Sequence, residues 1–191
     1  RADTRKVKKY FLTVYSLYGN LEDKMKIIPL TKGYVAIVDD EDFATLATHK
    51  WCVSVVATGN RTLFYAVRRQ KGSSKLTLMH RVITHATEGI EVDHRDRNGL
   101  NNVRNNLRMC TRAQNSYHGA PHKSVTRTST YKGVSFRSRK QSRHKPWVAQ
   151  LMLNGKHALY KEYTTEHEAA QAYNQAAKKH YWKFAWLNKD V

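Results

Sequence analysis

Glu91-Val-Asp-His-Arg-Asp-Arg-Asn-Gly-Leu-Asn-Asn-Val-Arg-Asn-Asn-Leu-Arg, followed by Thr111-Arg-Ala-Gln-Asn115, decides how this chain is read. It sets an Asp-His pair, a glycine turn, an asparagine-rich loop and a distal Asn within one small supersecondary unit. A hard divalent cation takes oxygen ligands, and Asp93 and Asn115 can supply one each. A neutral imidazole beside such an ion can take a proton from water, and His94 is placed for that role. These are the parts needed to hydrolyse a phosphodiester. Neighbours on a strand point to opposite faces, so a bulge or turn is expected at Asp93-His94 to bring both to one site. Asn115 is expected on a short helix over 111–117. Each residue alone has a plainer role: an Asp-His pair is usually a surface ion pair, and Asn98, Gly99, Asn101 and Asn102 are common turn residues. Their joint spacing is what points to a nuclease.

Composition points to the same substrate. Lys and Arg number 34 against 15 Asp and Glu, a formal charge of +19. The excess is local too, since no acidic residue lies between Arg97 and Lys161. A solvated face usually mixes signs, so this bias favours a nucleic-acid backbone as partner, with an anionic membrane as the plainer competitor. Binding should weaken steeply with salt. No apolar run reaches membrane-spanning length and no secretory signal is visible, so the expectation is a soluble protein without a membrane partner. Cys52 and Cys110 are too few for a Cys-rich zinc site and read as reduced, buried thiols of an intracellular protein.

At 191 residues the chain holds one medium domain or two small ones. Residues 1–24 read as an N-terminal extension, with Met25 a coherent start for the rest of the chain. The pattern then predicts a hairpin over 27–38, a short helix from Asp39-Asp40 to about Thr48 and strands over 51–56 and 63–69. Gly59-Asn60 and Lys71-Gly-Ser-Ser are expected turns. Residues 119–130 are polar and basic, the composition of a linker. Beyond it, Trp147-Val-Ala-Gln-Leu-Met-Leu alternates, Asn154-Gly155 offers a two-residue turn, and Thr165-x-x-Glu168 is a capping box opening a helix. Ala169, Ala172, Tyr173, Ala176, Ala177 and His180 fall on one face of that helix. The expected fold class is α+β, ending in a three-stranded antiparallel sheet backed by one helix.

Met79-His-Arg, Glu91-Val-Asp-His, Asn98-Gly-Leu-Asn-Asn, Asn106-Leu-Arg and Thr111-x-x-Gln-Asn115 resemble the HNH endonuclease family, in its phage-type homing subtype. The resemblance covers roughly 79–117 and implies a ββα-metal element within a nuclease domain over 25–118. It implies one divalent ion, Mg2+ or Mn2+, bound by Asp93 and Asn115, and His94 as general base. Asn106 would be the structural Asn that turns the imidazole to the metal, and the products would carry 5′-phosphate and 3′-hydroxyl ends. His80 also occupies a family position, as a phosphate contact or a brace for the first strand. Asp96 lies close by, as an accessory acid or an exposed turn carboxylate.

Tyr131-Lys-Gly-Val, Trp147-Val-Ala-Gln-Leu, the helix from Tyr163-Thr-Thr and Leu187-Asn188 resemble an AP2 DNA-binding domain over 131–191. That resemblance implies a sheet lying in the major groove with its helix behind. Period-2 alternation assigns Val134, Phe136, Trp147, Ala149, Leu151, Leu153, Ala158 and Tyr160 to the helix side. Ser135, Arg137, Val148, Gln150, Met152, His157 and Leu159 would then face DNA. Arg137 and Gln150 are the best base readers, while Arg139, Lys140, Arg143 and Lys145 would hold phosphates. The chain departs from plant members in offering Met152 and Leu159 where charged or aromatic readers are expected. The two resemblances together imply a site-specific homing endonuclease, a monomer on double-stranded DNA with no obligate protein partner. They place it in the cytoplasm of a phage-infected bacterial cell. The alternatives are a DNA-binding regulator with an inactive HNH unit, or an RNA-binding factor of similar charge.

Overall fold

The computed structural model describes residues 24–58, 61–70, 72–121, 127–137 and 144–191. All but Lys24 of the expected extension over 1–24, the Gly59-Asn60 turn, Lys71 and the expected phosphate contacts Arg139, Lys140 and Arg143 lie outside the described residues. The chain divides between Thr111 and Arg112 into two compact units.

In the first unit, Met25–Pro29 (β1) pairs antiparallel with Val35–Asp39 (β2), Ile27 opposite Ile37. Val35, Ala36, Ile37 and Val38 are all buried, the pattern of a strand covered on both faces. A helix follows at Asp40–Ala47 (α1), its first turn rich in carboxylates that complement the helix dipole. The expected cap at Asp39 is not made. Its side chain instead accepts the Arg104 amide N–H at 2.6 Å.

Cys52–Thr58 (β3), Arg61–Arg69 (β4) and Leu76–Leu78 (β5) form an antiparallel sheet in that order. Cys52 is exposed, not buried as expected, because Trp51 and Val53 on either side take the inward positions. Met79–Thr84 (α2) follows directly, so Met79 and Ile83, four apart, both enter the core. His80 therefore rides on a helix. The Arg81 guanidinium reaches the carbonyls of Ala86, Thr87 and Ile90 and fixes the loop into the next strand.

Glu91–His94 (β6) and Leu107–Cys110 (β7) form a two-stranded ribbon with an unbroken register. Of the bulge or turn expected at Asp93-His94, it is the turn that forms. The strand ends at His94 and the chain turns there, with Arg97 at φ 63° donating its N–H to the His94 carbonyl at 2.8 Å. Ile28, Val38, Leu46, Met79, Ile83 and Leu107 close the core of this unit.

In the second unit, Arg112–His118 (α3) precedes Val134–Phe136 (β8), Trp147–Leu153 (β9) and Lys156–Tyr163 (β10), an antiparallel sheet ordered β10-β9-β8. Glu166–Tyr181 (α4) packs across it through Ala169, Ala170, Tyr173, Ala177 and Tyr181. Both halves of the capping box form at 3.2 Å. Asn154 and Gly155 have φ of 50° and 76°, the two left-handed residues a type I′ turn requires. The grouping of α3 with this unit has a visible cause. Tyr117 stacks on Tyr181 with centroids 3.8 Å apart, and the Lys132 ammonium donates to the carbonyls of Tyr117 and Gly119.

The sheet faces differ from strict alternation. The β9–β10 register shifts between His157 and Leu159, and this bulge inverts every side chain beyond it. Leu159 packs into the core opposite Leu151, while Ala158 and Tyr160 are exposed. Phe136, at the end of β8, is also exposed and meets Trp147 edge-on. Val148, on the central strand between Ser135 and Glu162, is fully buried.

Gly133 sits at φ 72° against α4, where an added Cβ would overlap the Tyr173 ring. Gly133→Ala should therefore destabilise the second unit by about 2–3 kcal/mol, read as a lower urea midpoint.

Candidate active site

The site is built on the loop between β6 and β7. Asp96 and Asn98 each turn the chain locally, their side chains accepting the N–H two residues on at 2.9 and 3.1 Å. The loop then docks on β2. Ile37 donates its N–H to the Leu100 carbonyl at 2.9 Å and accepts the Asn102 N–H at 2.8 Å. Gly99 lies so close to β4 that a Cβ would overlap the Phe64 carbonyl and the Tyr65 ring. Arg104 anchors the far end, its guanidinium fork on Asp42 at 2.6 and 2.8 Å. That Arg belongs to the basic excess in the sequence, but its charge is already answered by α1.

Asn106 closes the loop. Its amide donates to Asp96 Oδ1 at 2.9 Å and to the Asn101 carbonyl at 2.8 Å, and its Oδ1 accepts the Asp96 N–H at 3.0 Å. Asp96 also accepts from the Asn101 amide at 2.7 Å. The Asp96 carboxylate is thus engaged by the loop itself, as a turn residue.

His94 ends β6 and is buried. Its Nε2 lies 3.4 Å from Asn102 Oδ1. An amide oxygen only accepts, so this long contact favours the tautomer with its hydrogen on Nε2 and Nδ1 as the basic nitrogen. Burial pushes the His94 pKa below the ordinary value, against weaker opposing pulls from Asn102, Asp96 and Asp93. The ring is therefore neutral at neutral pH. His80 packs edge-on against it, centroids 4.9 Å apart, with Tyr65 near both. The His80 pKa is pushed down to about 3, by burial first and then by the neighbouring His94 and Arg81. His80 Nδ1 and Asn102 Nδ2 are buried without hydrogen-bond partners.

Asp93 is buried one residue before His94, and Arg108, directly opposite on β7, holds its Oδ2 through Nε at 2.7 Å and Nη2 at 2.6 Å. The sequence reading missed Arg108. Its signal was the register: once His94 pairs with Leu107, the next pair sets opposite charges face to face. Asn115 lies on α3, half-buried, in the second unit. Within the first unit Asp93 offers one carboxylate, and no trio of His, Cys, Asp or Glu gathers among the described residues. Oxygen donors this few fit a hard ion that keeps most of its water, as Mg2+ does.

In the second unit Gln150, Met152, His157 and Lys145 are exposed, and Ser135 and Arg137 are half-buried. Tyr160, which alternation had turned inward, joins them. The Arg137 guanidinium lies 5.3 Å over its ring, and His157 meets it edge-on at 5.0 Å. A bulge carries no signature of its own in this sequence, so Tyr160 was not legible there.

Comparison with known proteins adds a family. Residues 78–117 match the family model described as HNH endonuclease. Over 164 residues the chain is 34% identical to an uncharacterized HNH endonuclease of Acanthamoeba polyphaga mimivirus, spanning 83% of this chain and 76% of that relative. No solved structure matches.

Two outcomes test this geometry. Asn106→Ala should cost about 1–3 kcal/mol of stability, since it strips the Asp96 carboxylate and backbone of partners. The second concerns acid. The unfolded chain protonates His80 near pH 6.5 but the native state only near 3. The stability from keeping it neutral is complete above about 6.5 and falls as pH drops towards 3. Urea midpoints across that range should decline in the wild type and decline less in His80→Gln.

Proposed function

The chain belongs to the HNH endonuclease family, and from that premise we propose a divalent-metal-dependent DNA endonuclease of homing type. The observation that carries the reading is a neutral, buried His94 beside Asp93 on one rigid ribbon, inside the matched span. Asp93 and Asn115 would hold one Mg2+ or Mn2+, which when bound supplies Lewis-acid polarisation of the phosphate and of the leaving oxygen. His94 acts as general base, taking the proton of the attacking water at Nδ1. Asn102 fixes the tautomer, and Asn106 positions the ring indirectly by holding the loop that carries Asn102.

The second unit, an AP2-like sheet in this reading, supplies address. Arg137, Gln150, His157, Met152 and Tyr160 would meet base edges in the major groove. Ser135 and Lys145, with Arg139, Lys140 and Arg143, would contact the backbone. The formal charge of +19 favours the same partner by counterion release.

Purified protein should nick supercoiled plasmid in Mg2+ or Mn2+ and not in EDTA. His94→Ala should cut at least about a hundredfold more slowly while binding the plasmid equally well, the usual scale for a lost general base. Equal cutting by that variant would remove His94 from the chemistry. Tyr160→Ala should lower affinity for the cleaved site by about five- to fiftyfold and leave affinity for unrelated duplex within about twofold. Competition binding measures both, and a uniform loss across sequences would assign Tyr160 to the backbone instead.

A further inference from the structure

Arg108 and Asp93 are both buried, and together they bear on the very carboxylate assigned to the metal. Dehydrating two charges is costly, so a buried pair is weak evidence of a stabilising role. Its chemical consequence here is specific. While the pair is intact its charges nearly cancel, and a doubly charged ion approaching Asp93 meets the guanidinium's repulsion. We propose that Arg108 and the metal ion compete for Asp93, and that a DNA phosphate is the group that draws the guanidinium away.

This inference rests on the reading of Asp93 as a metal ligand. The guanidinium fork matches phosphate as well as carboxylate, so phosphate offers Arg108 an equivalent partner. Asp93 left alone would be a buried, uncompensated charge, so release of Arg108 and arrival of the ion are energetically linked. Arg108 is then a positioning residue that sets metal affinity. It makes loading depend on bound DNA.

Mn2+ binding, followed by loss of the free ion's electron paramagnetic resonance signal, tests this on the full chain. The His94→Ala background slows cleavage of a short duplex during the titration, and the duplex alone is subtracted. Without DNA, adding Arg108→Gln should tighten Mn2+ binding about tenfold, equivalent to about 1.4 kcal/mol. With DNA the two proteins should converge, because the parent gains affinity. Arg108→Lys, which keeps the charge and loses the fork, should fall between them and decides the matter if the Gln variant is unfolded by circular dichroism. Arg108 variants that bind Mn2+ no tighter than the parent without DNA would overturn the competition. Asp93→Asn separates the underlying reading: it should abolish Mn2+ binding with and without DNA. Unchanged binding there would mean that Asp93 is no ligand, whatever Arg108 does.

Discussion

The closure of the β6–β7 loop by Asn106 is the constraint on which the first unit's site depends. A loop entering a protein interior must find partners for its backbone N–H and C=O groups. Here Asn101 and Asn102 are buried, and the loop answers with side-chain amides where a strand would use a ladder. An amide both donates and accepts, so Asn106 can serve Asp96 from both of its ends. Asn102 is consequently fixed in depth, tied through its backbone to Ile37, with its side chain against His94. The imidazole's tautomer is set by where the loop is held. No single member would hold this arrangement alone.

Charge is arranged on the same economy. The buried histidines are neutral and the buried Asp93 is paired, while Arg104 is answered by α1 carboxylates. A protein carrying +19 repels divalent cations at long range and attracts polyanions. The field therefore disfavours an ion arriving alone and favours one arriving with phosphate. Long-range field and local pair act in the same sense, which is why Arg108 is read with the metal and not as a fastener of the ribbon.

Legibility in the sequence tracked the range of the interaction. The capping box at Thr165 and the Asn154-Gly155 turn are written in residues a few positions apart, and each formed, while the buried face of α4 kept Ala169, Tyr173 and Ala177 but added Ala170 and Tyr181 and left out His180. The Asp93-His94 ribbon was equally local, though its geometry came from a turn after the strand and not from a bulge within it. The features missed depend on distant chain. Asp39 abandons its cap for Arg104, 65 positions away. His80 meets His94 because α2 lies against β6, which no spacing announces. The buried partner of Asp93 required the register of β6 on β7, known only once the hairpin is closed.

The bulge in β10 carries the largest consequence for so small an irregularity. One residue of slip turns Leu159 inward, where it completes the packing under α4, and brings Tyr160 out beside Gln150. The outward face thereby gains an aromatic ring flanked by a guanidinium and an imidazole. An Arg resting on a ring has already lost much of its rotamer freedom, so it engages a partner at lower entropic cost than an unsupported one. Strict alternation would have given this face a leucine and nothing to hold Arg137. The groups this outward face presents are thus decided by backbone register as much as by residue identity. Equivalent positions on a sheet without this bulge would therefore be a poor guide to which side chains face outward here.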